Sequence, residues 1–98
     1  MKILAIEHER PGVSAEAFSK LARAEAACAW ELYQQGTIRE LYFRADRSEA
    51  VLILECAGVE AAQQALATLP FVEAGLIDFE LIPLAPYPGF ARLFVPKA

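Results

Sequence analysis

A chain of 98 residues, 56% of them hydrophobic and carrying a formal net charge of −4, is one domain with room for a single core. Thirteen acidic against nine basic side chains repel phosphate backbones, which excludes nucleic acid as a partner. Charges interrupt every apolar run well before the ~20 residues a bilayer crossing needs, and Met1-Lys2-Ile3 carries no signal pattern, so a cytoplasmic protein with no membrane partner is predicted.

The first element is a strand from Lys2 to His8, where Ile3, Leu4, Ala5 and Ile6 are apolar on both faces. Pro11-Gly12 ends it. Ser14 is the predicted N-cap of a long helix reaching about Gln35, with Glu16 in its first turn and Gly36 as the left-handed residue beyond its end. Phe18, Leu21, Ala22, Ala29, Leu32 and Tyr33 give this helix an apolar face. Thr37–Arg44 and Glu49–Ala57 read as an antiparallel hairpin around the polar turn Ala45-Asp46-Arg47-Ser48. Gly58 opens a second helix with Val59, Ala62, Leu66 and Leu69 at helical spacing, stopped at Pro70 because the residue before a proline is pushed out of the α region. Leu76–Leu84 is the last strand, its end marked by Pro83, which cannot donate to a ladder.

The order βαββαβ predicts an α+β, ferredoxin-like domain over residues 1–85: a four-stranded antiparallel sheet with two helices on one face. Val51 and Ile53 oppose Leu52 and Leu54 on the third strand, so the helix-free face is apolar too and calls for a second copy of the sheet. Residues 86–98 form an extended tail. Tyr87, Phe90, Leu93, Phe94 and Val95 alternate there with prolines, a composition that predicts docking on a partner subunit of a homo-oligomer.

Most chemical motifs are missing: no phosphate loop, no dinucleotide glycine pattern, no nucleophile elbow and no zinc-protease helix. Cys28 and Cys56 lack metal or redox spacing, and with His8 as the single histidine no metal site and no cofactor is predicted. Glu25 stands seven residues from both Phe18 and Leu32, inside the apolar helix face. Either it faces a cavity, where desolvation raises its pKa into the range of a general acid or base, or it tilts out to pair with Arg23, Arg39 or Arg44. His8 ends the Leu4–Ile6 face of strand one and either borders the same cavity or caps a strand end. Arg39 and Arg44 fall on opposite faces of strand two. One of them could hold a substrate carboxylate in a fork, against the alternative of surface pairing with Asp46, Glu55 or Asp78. Trp30, Tyr33 and Tyr42 either line a pocket for a flat organic ring or pack.

Three stretches carry a family resemblance: Glu31-Leu32-Tyr33-Gln34-Gln35-Gly36 with Arg39 and Leu41 beyond, then Leu69-Pro70-Phe71, then Pro83-Leu84-Ala85-Pro86-Tyr87-Pro88. Over most of its length the chain resembles the muconolactone isomerase family of small ferredoxin-like proteins. The resemblance implies a dimeric α+β barrel that assembles further, and a double-bond shift without metal or organic cofactor. Such chemistry needs a base, a proton donor and a cation for a substrate carboxylate. Glu25 falls where the family has a glutamate on its first helix, whereas Ala22 stands at an expected lysine and Glu40 and Tyr87 at expected histidines. The predicted function is a cofactor-free isomerase acting by proton transfer on a lactone or aromatic-derived acid, with Glu25 and His8 catalytic and Arg39, Tyr42, Arg44 and Trp30 binding a small organic ligand. The alternatives are a non-catalytic binding or assembly module, and a cofactor-free monooxygenase or haem-handling barrel protein.

Overall fold

The computed structural model describes residues 1–96; the last two residues of the tail segment, Lys97 and Ala98, lie outside the described residues. The elements run β1 (Lys2–Glu9), α1 (Ala15–Gln34), β2 (Ile38–Phe43), β3 (Ala50–Glu55), α2 (Val59–Leu66), α3 (Pro70–Glu73) and β4 (Ile77–Pro83), followed by a 3-10 helix at Gly89–Phe94. One antiparallel sheet has the order β2-β3-β1-β4, as the split βαβ arrangement requires.

Local chemistry accounts for the boundaries. Ser14 Oγ accepts the Ala17 N–H at 3.2 Å and starts α1. At the other end Gly36 takes φ +83°, and the N–H groups of Gly36 and Thr37 donate to Tyr33 and Leu32, a Schellman turn that launches β2. α2 stops at Leu66, short of the predicted end at Leu69, and Pro70 begins α3 instead, since its fixed φ suits the first helical position, where no N–H is needed.

Ile3, Ala5, Leu52 and Leu54 point to one side of the sheet and are buried against Leu32, Ala62, Leu66 and Leu69. Leu4, Ile6, Val51, Ile53 and Ile82 alternate to the other side and are half-buried, with no helix over them. The tail leaves the body: the radius of gyration is 16.8 Å and the long axis 63 Å, against about 13 Å for the radius of a compact chain this long. Tyr87, Phe90, Leu93, Phe94 and Val95 are all exposed along it. Part of the segment is a 3-10 helix rather than extended chain. Among the described residues, no helix is long and apolar enough to cross a membrane.

A β-bulge interrupts the β2–β3 ladder. Ile38 pairs with Leu54, yet Glu40 pairs with Ile53, which leaves Arg39 as the extra residue. From there the alternation of β2 is reversed: Leu41 and Phe43, opposite Leu52 and Ala50, turn toward the helices, while Glu40 and Tyr42 turn away.

Candidate active site between helix α1 and the sheet

Along its cavity-facing side α1 presents Ala15, Ala22, Ala26 and Ala29, side chains too short to reach the sheet. They leave a cavity of about 690 Å³, walled by Phe18, Phe71, Phe79, Ile38, Leu52 and Leu69 and bordered by Leu41 and Phe43 of the edge strand. Phe18 and Phe71 meet edge to face at 5.1 Å. Phe43 is 70% exposed, so this border is open to solvent.

Three carboxylates line these walls, Glu9 exposed at the border and two drawn out of solvent. Glu25 Oε1 accepts the Phe71 N–H at 2.9 Å. The bond forms because Leu69, the N-cap of α3, has no side-chain acceptor and leaves Phe71's amide to find one elsewhere. Burial pushes the Glu25 carboxyl above its ordinary value, with the Phe71 N–H pulling it partly back. Glu7 is the second. It lies on the Ile3–Ala5 face of β1, only 7% exposed, and accepts the Ala50 N–H at 3.2 Å. Burial raises its pKa first, the Ala50 amide opposes that, and the like charges of Glu49, Glu9 and Glu25 raise it further. Each carboxylate is anchored through one oxygen, and among the described residues the other oxygen makes no hydrogen bond.

Glu49 stands behind this pair, buried, with Oε2 accepting the Glu9 N–H at 2.9 Å. Arg47 Nε lies 3.2 Å from Glu49 Oε1, close enough for charge attraction. The angle is too poor for a hydrogen bond, so that oxygen has no hydrogen-bond partner.

Glu25 therefore takes the cavity placement and makes none of the alternative arginine pairs among the described residues. His8 does not border the cavity. It alternates to the helix-free face, half exposed, with Nε2 3.4 Å from Glu80 Oε1. The strand is apolar on both faces, so composition could not say which side met the helices, and it is Glu7 that faces in. Arg44 grips Asp46 through Nε and Nη2 at 2.8 and 2.7 Å, the surface pairing rather than the substrate fork. Trp30, Arg39 and Tyr42 share a shallower hollow of about 510 Å³ with Tyr33, at the edge of β2. It adjoins the cavity through Ala26, Ala29 and Leu41 but does not contain the carboxylates. Tyr42 lies outside because of the bulge, and its hydroxyl donates to Glu40 at 2.8 Å. Arg39 folds back, its Nε donating to the Gly36 carbonyl at 2.6 Å. Trp30 is 58% exposed and packs on Tyr33 at 5.6 Å. Cys28 and Cys56 are free, half-buried thiols. Among the described residues, no group of three or more His, Cys, Asp or Glu is placed to hold a metal ion.

A sequence profile described as muconolactone delta-isomerase matches residues 5–89. Among solved structures, a muconolactone isomerase superimposes with a TM-score of 0.71 at 24% identity, over 90% of this chain and 92% of that one. A 5-chloro-2-hydroxyhydroquinone dehydrochlorinase from Burkholderia phenoliruptrix, in complex with 2,5-dihydroxybenzoquinone, superimposes with a TM-score of 0.67 at 20% identity, over 87% of this chain and 94% of that one. No curated protein sequence matches significantly. The structural likenesses establish a shared α+β fold.

Proposed function

We propose a function from the premise that this chain belongs to the muconolactone delta-isomerase family: it is a small enzyme that moves a proton on a lactone or aromatic-derived ring compound within the cavity under α1. The observation that carries the reading is that Glu7 and Glu25 enter one apolar cavity from two different elements, each anchored by a backbone amide.

The two acids differ in surroundings, and that difference assigns their roles. Burial pushes both carboxyls up, and Glu7 stands in addition among three further carboxylates, Glu49, Glu9 and Glu25. Glu25 is then the base. Glu7, whose surroundings of like charge favour its protonated form, is assigned to donate a hydrogen bond. In the double-bond shift Glu25 takes a proton from the carbon beside the substrate carbonyl. The electron pair moves onto the carbonyl oxygen, where Glu7 steadies it. Glu25 then returns the proton two carbons further along, and the double bond has moved with no atom gained or lost. The names of the two structural relatives are compatible with such chemistry: one is an isomerase of a lactone, the other a dehydrochlorinase of a chlorinated hydroquinone.

The test is turnover of uncharged lactones and quinols by Glu25→Gln and Glu7→Gln. Loss of the base is expected to cost about 10²–10⁴-fold in kcat with the fold intact by circular dichroism. Glu7→Gln is expected to cost less, since an amide still donates a hydrogen bond. Full activity of Glu25→Gln on a substrate that the native protein turns over rejects the reading. His8, on the far face, is expected to be dispensable, and His8→Gln with native kcat is the matching control.

A further inference from the structure

We propose that the cavity selects uncharged ring compounds, such as a neutral lactone, enone or phenol, and rejects their carboxylate-bearing counterparts. The inference deepens the proton-transfer reading and rests on it for the identity of the site.

It follows from where the charges stand. The charged side chains lining the cavity are Glu7, Glu9 and Glu25, with Glu49 buried behind them, and no lysine, arginine or histidine among the described residues lines it. Five basic side chains on the neighbouring elements are committed elsewhere. Arg44 is held bidentate by Asp46, Arg47 lies against Glu49, and Arg10 donates to Asp78 at 2.9 Å. Lys20 sits 3.6 Å from Glu16 on the outside of α1. Arg39 is turned back onto the Gly36 carbonyl, in the outer hollow. A substrate carboxylate brought among these walls would lose its hydration, meet like charge and find no fork to accept it. A neutral ring loses little on entering, and its carbonyl or hydroxyl can use the free carboxyl oxygens of Glu7 and Glu25. The same acids that do the chemistry thereby set the charge of what they act on.

The experiment compares two probes of equal shape, 4-hydroxybenzamide and 4-hydroxybenzoate, titrated calorimetrically into the full chain in its native assembly. The amide is expected to bind at least about tenfold tighter than the carboxylate, with the gap closing to about threefold or less in the double variant Glu7→Gln/Glu25→Gln. Ala26→Leu, which fills the cavity, is expected to abolish binding of the amide. Benzoate binding as tightly as the amide, or neither probe binding, overturns the inference. So does a preference for benzoate that vanishes in Arg92→Gln, which would give charge recognition to the tail. If benzoate wins while Glu25→Gln still destroys turnover, selection by charge fails and the proton-transfer reading stands. If the amide wins while Glu25→Gln keeps full activity, the reverse holds.

Discussion

The space between the helices and the sheet has two ends built from the same kinds of residue to opposite effect. Under α2, Ala62 and Leu66 join Ile3 and Leu54 in one buried cluster. Under α1, from Ala15 to Ala29, alanines face the sheet and a cavity of about 690 Å³ is left. Both helices are amphipathic and both cover apolar strands. What separates a core from a pocket is side-chain length on the covering helix, together with two carboxylates that a closed core could not hold unpaired.

The largest effect should come from opening the closed end. Leu54 is fully buried, and Leu54→Ala is expected to cost about 2–5 kcal/mol in denaturant unfolding, because the lost methyl groups leave a void that neighbours cannot fill. A cost below about 1 kcal/mol would erase the contrast between the two ends. Next in size is the side of the sheet that neither helix covers. Leu4, Ile6, Val51, Ile53 and Ile82 make an apolar stripe there, and we expect it to be buried against a second copy. Ile53→Asp should shift the mass seen by light scattering toward the monomer, and removal of residues 86–98 should lower either the oligomer size or the melting temperature. A native chain that is monomeric at micromolar concentration would refute this.

A smaller effect distinguishes the acids at the open end. Glu7 is pushed up from 4.5, so between its unfolded and folded values the folded state binds the extra proton. Its contribution is therefore a penalty that is absent below about pH 4.5 and grows as pH rises through the folded value. Glu7→Gln, which keeps the acceptor for the Ala50 N–H, should raise the melting temperature near neutral pH by a few degrees, with the gain vanishing in acid. A gain that persisted in acid would point to packing instead of charge. The smallest effect is expected from filling the open end: Ala26→Leu should change stability by no more than about 1 kcal/mol, since the added atoms enter existing space.

The architecture was legible because its punctuation is chemical. Ser14, Gly36 and Pro70 each do in the structure what their side chains prescribe. Glu25 was legible as well, since heptad spacing from Phe18 and Leu32 needs only a helix to be meaningful. Glu7 was not. In β1 both alternating sets, Ile3-Ala5 and Leu4-Ile6, are apolar, so the sequence offers no rule for choosing between Glu7 and His8, and chemistry favoured the histidine. Tyr42 lines the outer hollow with Trp30 and Tyr33, apart from the two acids, because a single bulged residue reverses the alternation of the strand, and nothing in Thr37-Ile38-Arg39-Glu40 announces it.

The hydrogen bond from the Phe71 N–H to Glu25 ties the opening turn of α3 to the carboxylate assigned as the base. That amide is a built-in spectroscopic reporter. Its nitrogen–proton resonance should follow the ionisation of Glu25 and lose that titration in Glu25→Gln. When a ligand recruits the carboxylate, the amide's exchange with solvent should quicken, so occupancy of the cavity can be watched from one backbone position without any labelled substrate.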